Sequence, residues 1–401
     1  MDTTDTKNTW AAFLGVLCAF GVLCGDRVAG QQEPASPQAV SPGQLQAAVD
    51  KLGDLNYDTR TRASQTIRRT PNTQAVLVLL RAVQEHADGY VRYRALVLLT
   101  GFNDPRIRDA MIESLSSPND RLRTVAYSYF EHNPDHSMVS TLLVALDKEN
   151  AEFVRPALVR ALAAIGDDPR VQTVLIREAG RGEDFFRSAV IEALGDYKAT
   201  YAQAALAGIA KLDGPLQDDA VVAIGKLGDR EGLETLSSLQ STASPTTLPF
   251  IAAGICLVGT SCETHERYVI DTLKFGQANN GYQTLVRASA ASLGVLAVAG
   301  RKSAAEALID AGVAAKDPAR APIAIAVATL ALRNTPLLMS LLESHIARRE
   351  AITLLAEGFD MLEEDLEKER FFALVRRTFW GAPAGSPTRD LMQTLIGTLE
   401  F

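Results

Sequence analysis

The chain has 401 residues, a net charge of −8 at pH 7 and 47% hydrophobic side chains. The acidic balance argues against a polyanion-binding protein, because nucleic-acid binders carry a basic footprint that displaces counterions from phosphate. Abundant Ala and Leu, with few β-branched runs between turns, point to an all-helical chain.

The first expected element is an export signal over residues 1–30. Trp10 to Gly25 is apolar throughout, shorter than the roughly 20 residues of a membrane span and close to the length of a signal core. Lys7 supplies the positive flank, and Val28-Ala29-Gly30 suits cleavage before Gln31. Asp2 and Asp5 are atypical of such a flank and leave a second reading, an uncleaved anchor through residues 10–25. Cys24 is a weak lipid-attachment point, because Leu23 precedes it. Each version places the body outside the cytoplasm, periplasmic or extracellular. Residues 31–43, rich in Pro, Gln and Ser, read as a tether. A folded body is expected from 44 to 401.

That body is organised by arginines. Arg60, Arg92, Arg123, Arg155 and Arg187 recur at steps of 32, 31, 32 and 32 residues, and Arg287 restores the pattern after a gap. An aliphatic residue follows each by three: Ala63, Ala95, Ala126, Leu158, Val190 and Ala290. A fixed period of this size marks stacked repeats. Between the arginine-bearing helices lie second helices. Asn72–Gln84 has helical apolar spacing, and Asp104–Ser116 opens on Asp-Pro, a cap followed by a proline that suits the first turn. Asp168-Pro169 repeats the device and Asn133-Pro134 resembles it. Helices are expected over Leu216–Leu227, Leu248–Leu257, Ala321–Leu332, Arg348–Phe359 and Leu366–Phe379, with a last one capped by Ser386. This makes about nine helical pairs. Gly166, Gly228, Gly259 and Gly300 stand where left-handed caps would end helices.

The segments Asp88-Gly-Tyr-Val91-Arg92, Asn119-Asp120-x-Leu122-Arg123, Glu152-x-Val154-Arg155 and Asp184-Phe-Phe186-Arg187, each followed by small apolar residues, resemble the HEAT repeat family. The variety is that of phycobilisome lyase-like repeat proteins. The resemblance runs from Tyr57 to Leu332 and is strongest over 58–195; Gln217 and Pro249 depart from it. It implies a right-handed α-α superhelix of HEAT-like helical hairpins, capped from about residue 366. It implies no particular function. The six arginines are expected to form a structural ladder, each meeting an acidic side chain or turn carbonyl of its neighbour. An arginine stripe gripping an acidic partner is the alternative.

Chemistry-bearing constellations are sparse. Five histidines, among them His132 and His136 around a turn, supply no metal-ligand spacing, and nucleophile elbows and dinucleotide fingerprints are absent from the sequence. No cofactor is expected. Cys256 and Cys262 remain as an even pair, with a local disulfide or a buried Cys256 as the two readings. The run from Glu363 to Glu369 reads as a solvated face, and Phe371, Phe372, Phe379 and Trp380 as a terminal cap. Tyr90, Tyr93, Arg94 and Tyr127 lie off the main apolar stripe and form the candidate partner-binding surface, Tyr and Arg being favoured at hot spots. The functional expectation is an exported, non-catalytic scaffold for a protein or peptide partner. The alternative is an enzyme-assisting or lyase-like subunit. Membrane contact is expected only through an uncleaved N-terminus.

Overall fold

Residues 39–401 are described by a computed structural model. The expected signal and nearly all of the tether therefore lie outside the described residues. All regular structure within them is helical. A first helix, α1 (Pro42–Asp50), precedes nine hairpins. They are α2 (Tyr57–Arg68) with α3 (Asn72–Glu85), α4 (Gly89–Leu99) with α5 (Arg106–Ser114), and α6 (Asp120–His132) with α7 (Val139–Lys148). Next come α8 (Arg155–Ala163) with α9 (Pro169–Ala179), α10 (Asp184–Asp196) with α11 (Gln203–Ala210), and α12 (Gln217–Leu227) with α13 (Arg230–Leu239). The last three are α14 (Leu248–Val258) with α15 (Cys262–Ala278), α16 (Gln283–Val298) with α17 (Lys302–Ala314), and α18 (Arg320–Arg333) with α19 (Thr335–Ser344). The chain ends in α20 (Arg348–Met361), α21 (Asp365–Gly381) and α22 (Pro387–Leu399).

Short polar residues start many of these helices. Asn56, Asp88, Asn119, Asp168, Asp229 and Ser386 each accept a backbone N–H of the first turn. Such a cap is worth about 1 kcal/mol. Asp104 bonds the Arg106 amide, so its helix starts two residues later than expected. Asn133 closes α6 instead of opening a helix, and Asp135 caps the 3-10 turn after it. Gly228, Gly259 and Gly300 adopt positive φ as expected; Gly166 does not.

The first helices of successive hairpins, α4 through α20 by even numbers, pack one on the next. Each is flanked by two neighbours and by its own hairpin partner, so its buried arc is wide. In α14 every residue from Ile251 to Cys256 is buried. Full burial of an aliphatic side chain contributes about 1.5–3 kcal/mol, and the row repeats it at every turn. Small residues set the closest approaches. A Cβ on Gly225 of α12 would meet Gly254 Cα of α14 at 2.5 Å, and one on Gly358 of α20 would meet the Ala324 carbonyl oxygen of α18 at 2.2 Å.

The final helices break the simple stacking. α22 packs on α19, α20 and α21. α21 leaves the row and packs on α4 and α6 as well as α18. The last hairpins thus meet the first ones, and Gln65 Nε2 donates to the Glu400 carbonyl oxygen at 3.1 Å.

Candidate functional site

The arginine ladder sits at the junctions between hairpins. Four of the six, each near the start of a first helix, reach back to carbonyls at or just past the end of the preceding element. Arg60 Nη1 donates to Asp54 O at 2.7 Å, Arg92 Nε to Val83 O at 2.7 Å, Arg123 Nη1 to Ser117 O at 2.8 Å and Arg187 Nε to Ala179 O at 3.2 Å. These carbonyls have no intrahelical donor. Arg123 also grips Glu149 with two donors, at 2.7 and 2.9 Å. Arg155 instead pairs with Glu178 at 3.4 Å and lies 3.8 Å over the Phe186 ring. Gln217 keeps the device without charge, donating to Ala210 O at 3.0 Å.

Arg287 is the exception. It is exposed and makes no hydrogen bond or ion pair among the described residues. The rung passes to Arg320, which donates to Gly312 O at 2.8 Å and pairs with Glu357, and then to Arg348, which donates to Leu342 O at 3.0 Å. Cys256 and Cys262 are joined as a disulfide, with Cys262 as the first residue of α15.

The candidate partner surface divides three ways. Tyr127 is only 1% exposed, a correction to its expected place on the surface. It lies off the apolar stripe, but α6 is covered on several sides, so the stripe does not bound the core. Burial pushes its hydroxyl up to about 12. Tyr90 is partly open, with Arg121 5.7 Å above its ring. Tyr93 and Arg94 are occupied by the chain itself. Both bond Asp365 at the start of α21, the guanidinium at 3.1 Å. Burial, then Asp365, raises the Tyr93 pKa. Burial opposes the Arg94 charge, and Asp365 with neighbouring groups more than offsets it.

α21 continues this pattern along its length. Glu369 is 1% exposed and receives Arg68 of α2 through Nε and Nη2, the latter at 2.6 Å. Glu367 meets His132 of α6 at 3.2 Å, and Glu364 meets Arg333 of α18 at 3.4 Å. The acidic run is therefore an interface and not a solvated face. Burial raises the Glu364 carboxyl, only partly countered by Arg333. Glu367 moves the other way: burial is outweighed by its bond to His132 and by Arg333, and its pKa falls.

Beneath α21 lies a polar network on the inner faces of the first helices. Buried Glu131 of α6 accepts from Arg160 Nε at 2.8 Å and from Tyr197 OH at 3.0 Å, with Arg333 at 3.6 Å. Arg160 also reaches Asp196 at 3.0 Å, which Lys226 meets at 2.6 Å. Glu131, His132 and Glu367 bring ligand atoms within 4.8 Å of one another. The arginines already on Glu131 supply the positive charge that a metal would bring, so the group reads as an ion-pair network. A cavity of about 400 Å³ opens beside it, lined by His132, Arg333, Glu367 and Arg370.

Glu131, Arg160, Tyr197, Arg333 and the acidic face of α21 were not singled out from sequence. Glu131 carried a readable signal, a carboxylate adjoining Phe130 within the apolar stripe. Arg68, Tyr93, Arg94 and His132 carried none, because they stand 235–301 positions from the carboxylates they meet.

No family model and no curated protein sequence matches the chain. Solved structures with related helical stacking include the complex of CpcE and CpcF of phycocyanin lyase from Nostoc sp. PCC7120. That likeness has a TM-score of 0.40 and 20% identity, covering 65% of this chain and 97% of that one. Kap95p with RanGDP gives 0.37 and 12%, covering 88% and 54%. Kap121p bound to RanGTP gives 0.34 and 12%, covering 89% and 40%. The chain is an all-α stack of helical hairpins, as its own repeat geometry shows.

Proposed function

We propose that the protein is an exported, non-catalytic scaffold whose inner face holds a helical segment of a protein partner. The carrying observation is that this face already holds a helix by side-chain pairing: Arg68, Tyr93, Arg94 and His132 engage acidic side chains of α21, and Arg333 engages Glu364 just before it. A partner helix with acidic residues on one face would compete for the same groups. The apolar stretch from Trp10 to Gly25 supports export, and so does the Cys256–Cys262 pair, since disulfides persist in oxidising compartments. The net charge of −8 argues against nucleic acid. No single described helix is long and apolar enough to cross a membrane.

A crosslinking pull-down from the envelope fraction, read by mass spectrometry, tests the reading. Asp365→Asn weakens the hold of α21 and should increase partner capture. Arg94→Ala removes a group the partner needs and should reduce it. Equal capture by both variants and the parent chain would sink the proposal. The enzyme-assisting reading draws on the cavity beside His132, Glu367 and Arg370, where polar groups converge. Under that reading His132→Gln leaves capture intact but abolishes a covalent change in the captured protein.

A further inference from the structure

A second cleft lies at the far end of α21, away from the Asp365 contacts. It encloses about 480 Å³ between the turn from α2 to α3, the loop after α4, the C-terminal half of α21, and Ile396 and Phe401. Four arginines line it, Arg68, Arg69, Arg376 and Arg377, and the lining includes no acidic side chain. Behind it stands one carboxylate, Glu369, which is consumed by Arg68 at 2.6 Å. Arg376 Nη1 shares the same carboxylate as a longer ion pair at 3.6 Å, beyond hydrogen-bond reach, and that nitrogen is buried. Arg69 and Arg377 have neither a hydrogen-bonded side chain nor an ion pair among the described residues.

The electrostatic consequence is visible at Arg376. Burial, with Arg68 and Arg377 adding repulsion against the pull of Glu369, lowers its pKa to about 10. Arg69 is lowered by burial as well. An arginine cluster of this kind is costly to hold together without a counter-charge, and it presents planar donors suited to carboxylate or phosphate. The rest of the lining sets apolar and aromatic side chains, Phe102, Trp380, Ile396 and Phe401 among them, beside the amides of Asn72 and Asn103. Trp380 is 37% exposed, leaving part of the indole open for contact.

We propose that this cleft binds a small aromatic anion, its acidic group bridging Arg69, Arg376 and Arg377 and its ring lying against Trp380 and Phe102. The shared chemistry is one acidic head on a flat apolar body. Carboxylate and phosphate heads are told apart by the probes used.

Trp380 and Trp10 are the chain's two tryptophans, so Trp10→Phe leaves Trp380 as a reporter inside the cleft. The full chain carrying that change is titrated at low salt with phenyl phosphate, benzoate and inorganic phosphate. Saturable quenching by phenyl phosphate or benzoate is expected, and the tighter of the two identifies the head group. Arg69→Ala and Arg377→Ala should each weaken binding at least tenfold. Arg287→Ala, an exposed arginine outside the cleft, should leave it unchanged. Neither the Arg69 nor the Arg377 side chain is hydrogen-bonded or ion-paired among the described residues, so unchanged helicity is expected in both variants and is checked by circular dichroism. Calorimetry on Trp380→Ala should show a several-fold loss. Absence of saturation overturns the proposal, as does equal binding by the Arg69 and Arg377 variants. Inorganic phosphate binding as tightly as phenyl phosphate overturns its aromatic part.

Discussion

Residues that look alike in the repeat do different physical work. Arg92 donates to a carbonyl that would otherwise lack a partner at the end of α3. Arg287 occupies the same register and touches no polar group. Arg92→Met should therefore cost about 1.5–3 kcal/mol, the range for a hydrogen bond to a charged group. Arg287→Met should stay within about 0.5 kcal/mol, as surface changes do. Denaturant midpoints at unchanged slope would measure both; equal losses would refute the assignment of the rung. The register of the ladder was legible because the backbone need recurs with the repeat. The skipped rung was not, because an arginine reads the same whether or not a carbonyl stands within reach. Tyr127 shows a related limit. Its offset from the apolar stripe marks exposure on a helix packed on one side, and α6 is packed on several.

Elements are set by their caps and by what their small residues allow. Helix existence was readable almost throughout: Leu248–Leu257, Arg348–Phe359 and Leu366–Phe379 fall within α14, α20 and α21. Their mutual approach was not, because Gly225 and Gly254 lie 29 residues apart with no local sign that they meet. Gly225→Ala should cost about 1–3 kcal/mol through overpacking. Gly208→Ala in α11, where a Cβ meets nothing within 4 Å, should instead stabilise by about 0.4–1 kcal/mol. Thermal unfolding of the two variants separates these outcomes. For α21, the lowered Glu367 pKa gives a contribution present above its ordinary 4.5 and lost as the pH falls through the depressed value. Glu364, raised by burial, acts in the opposite sense, its protonated form being the one that burial favours. In a Glu364→Gln background, α21 amide exchange corrected for intrinsic rate should rise as the pH drops below about 4.5. Adding Glu367→Gln should shrink that dependence.

At the scale of the molecule, the body is an array of hairpins in which each packs mainly on its neighbours, with one exception. Arg68 and Glu369 are both almost fully buried and stand 301 positions apart. Removing one partner of such a pair leaves an uncompensated charge, so Glu369→Ala should cost about 3–5 kcal/mol. The effect should include faster exchange in α2 and α4, which are remote from the change in sequence. Loss confined to α21 and α22 would argue against coupling of the two ends. None of this was legible beforehand. Repeat periodicity describes what each hairpin does to the next, and α21 is the element outside the repeat.

An open stack of hairpins behaves as a spring, because every joint bends a little and the small rotations add up. Here Gln65 and Arg68 fasten the first hairpin to Glu400 at the end of α22 and to Glu369 in α21. The fastening removes the soft mode. One joint cannot tilt unless the others tilt in compensation, so the width available between the inner helices is shared by all of them. A guest that pries α21 away releases the catch as well as occupying the face. On the proposed reading, the elastic extension of the whole stack would be the readout of a single docking event.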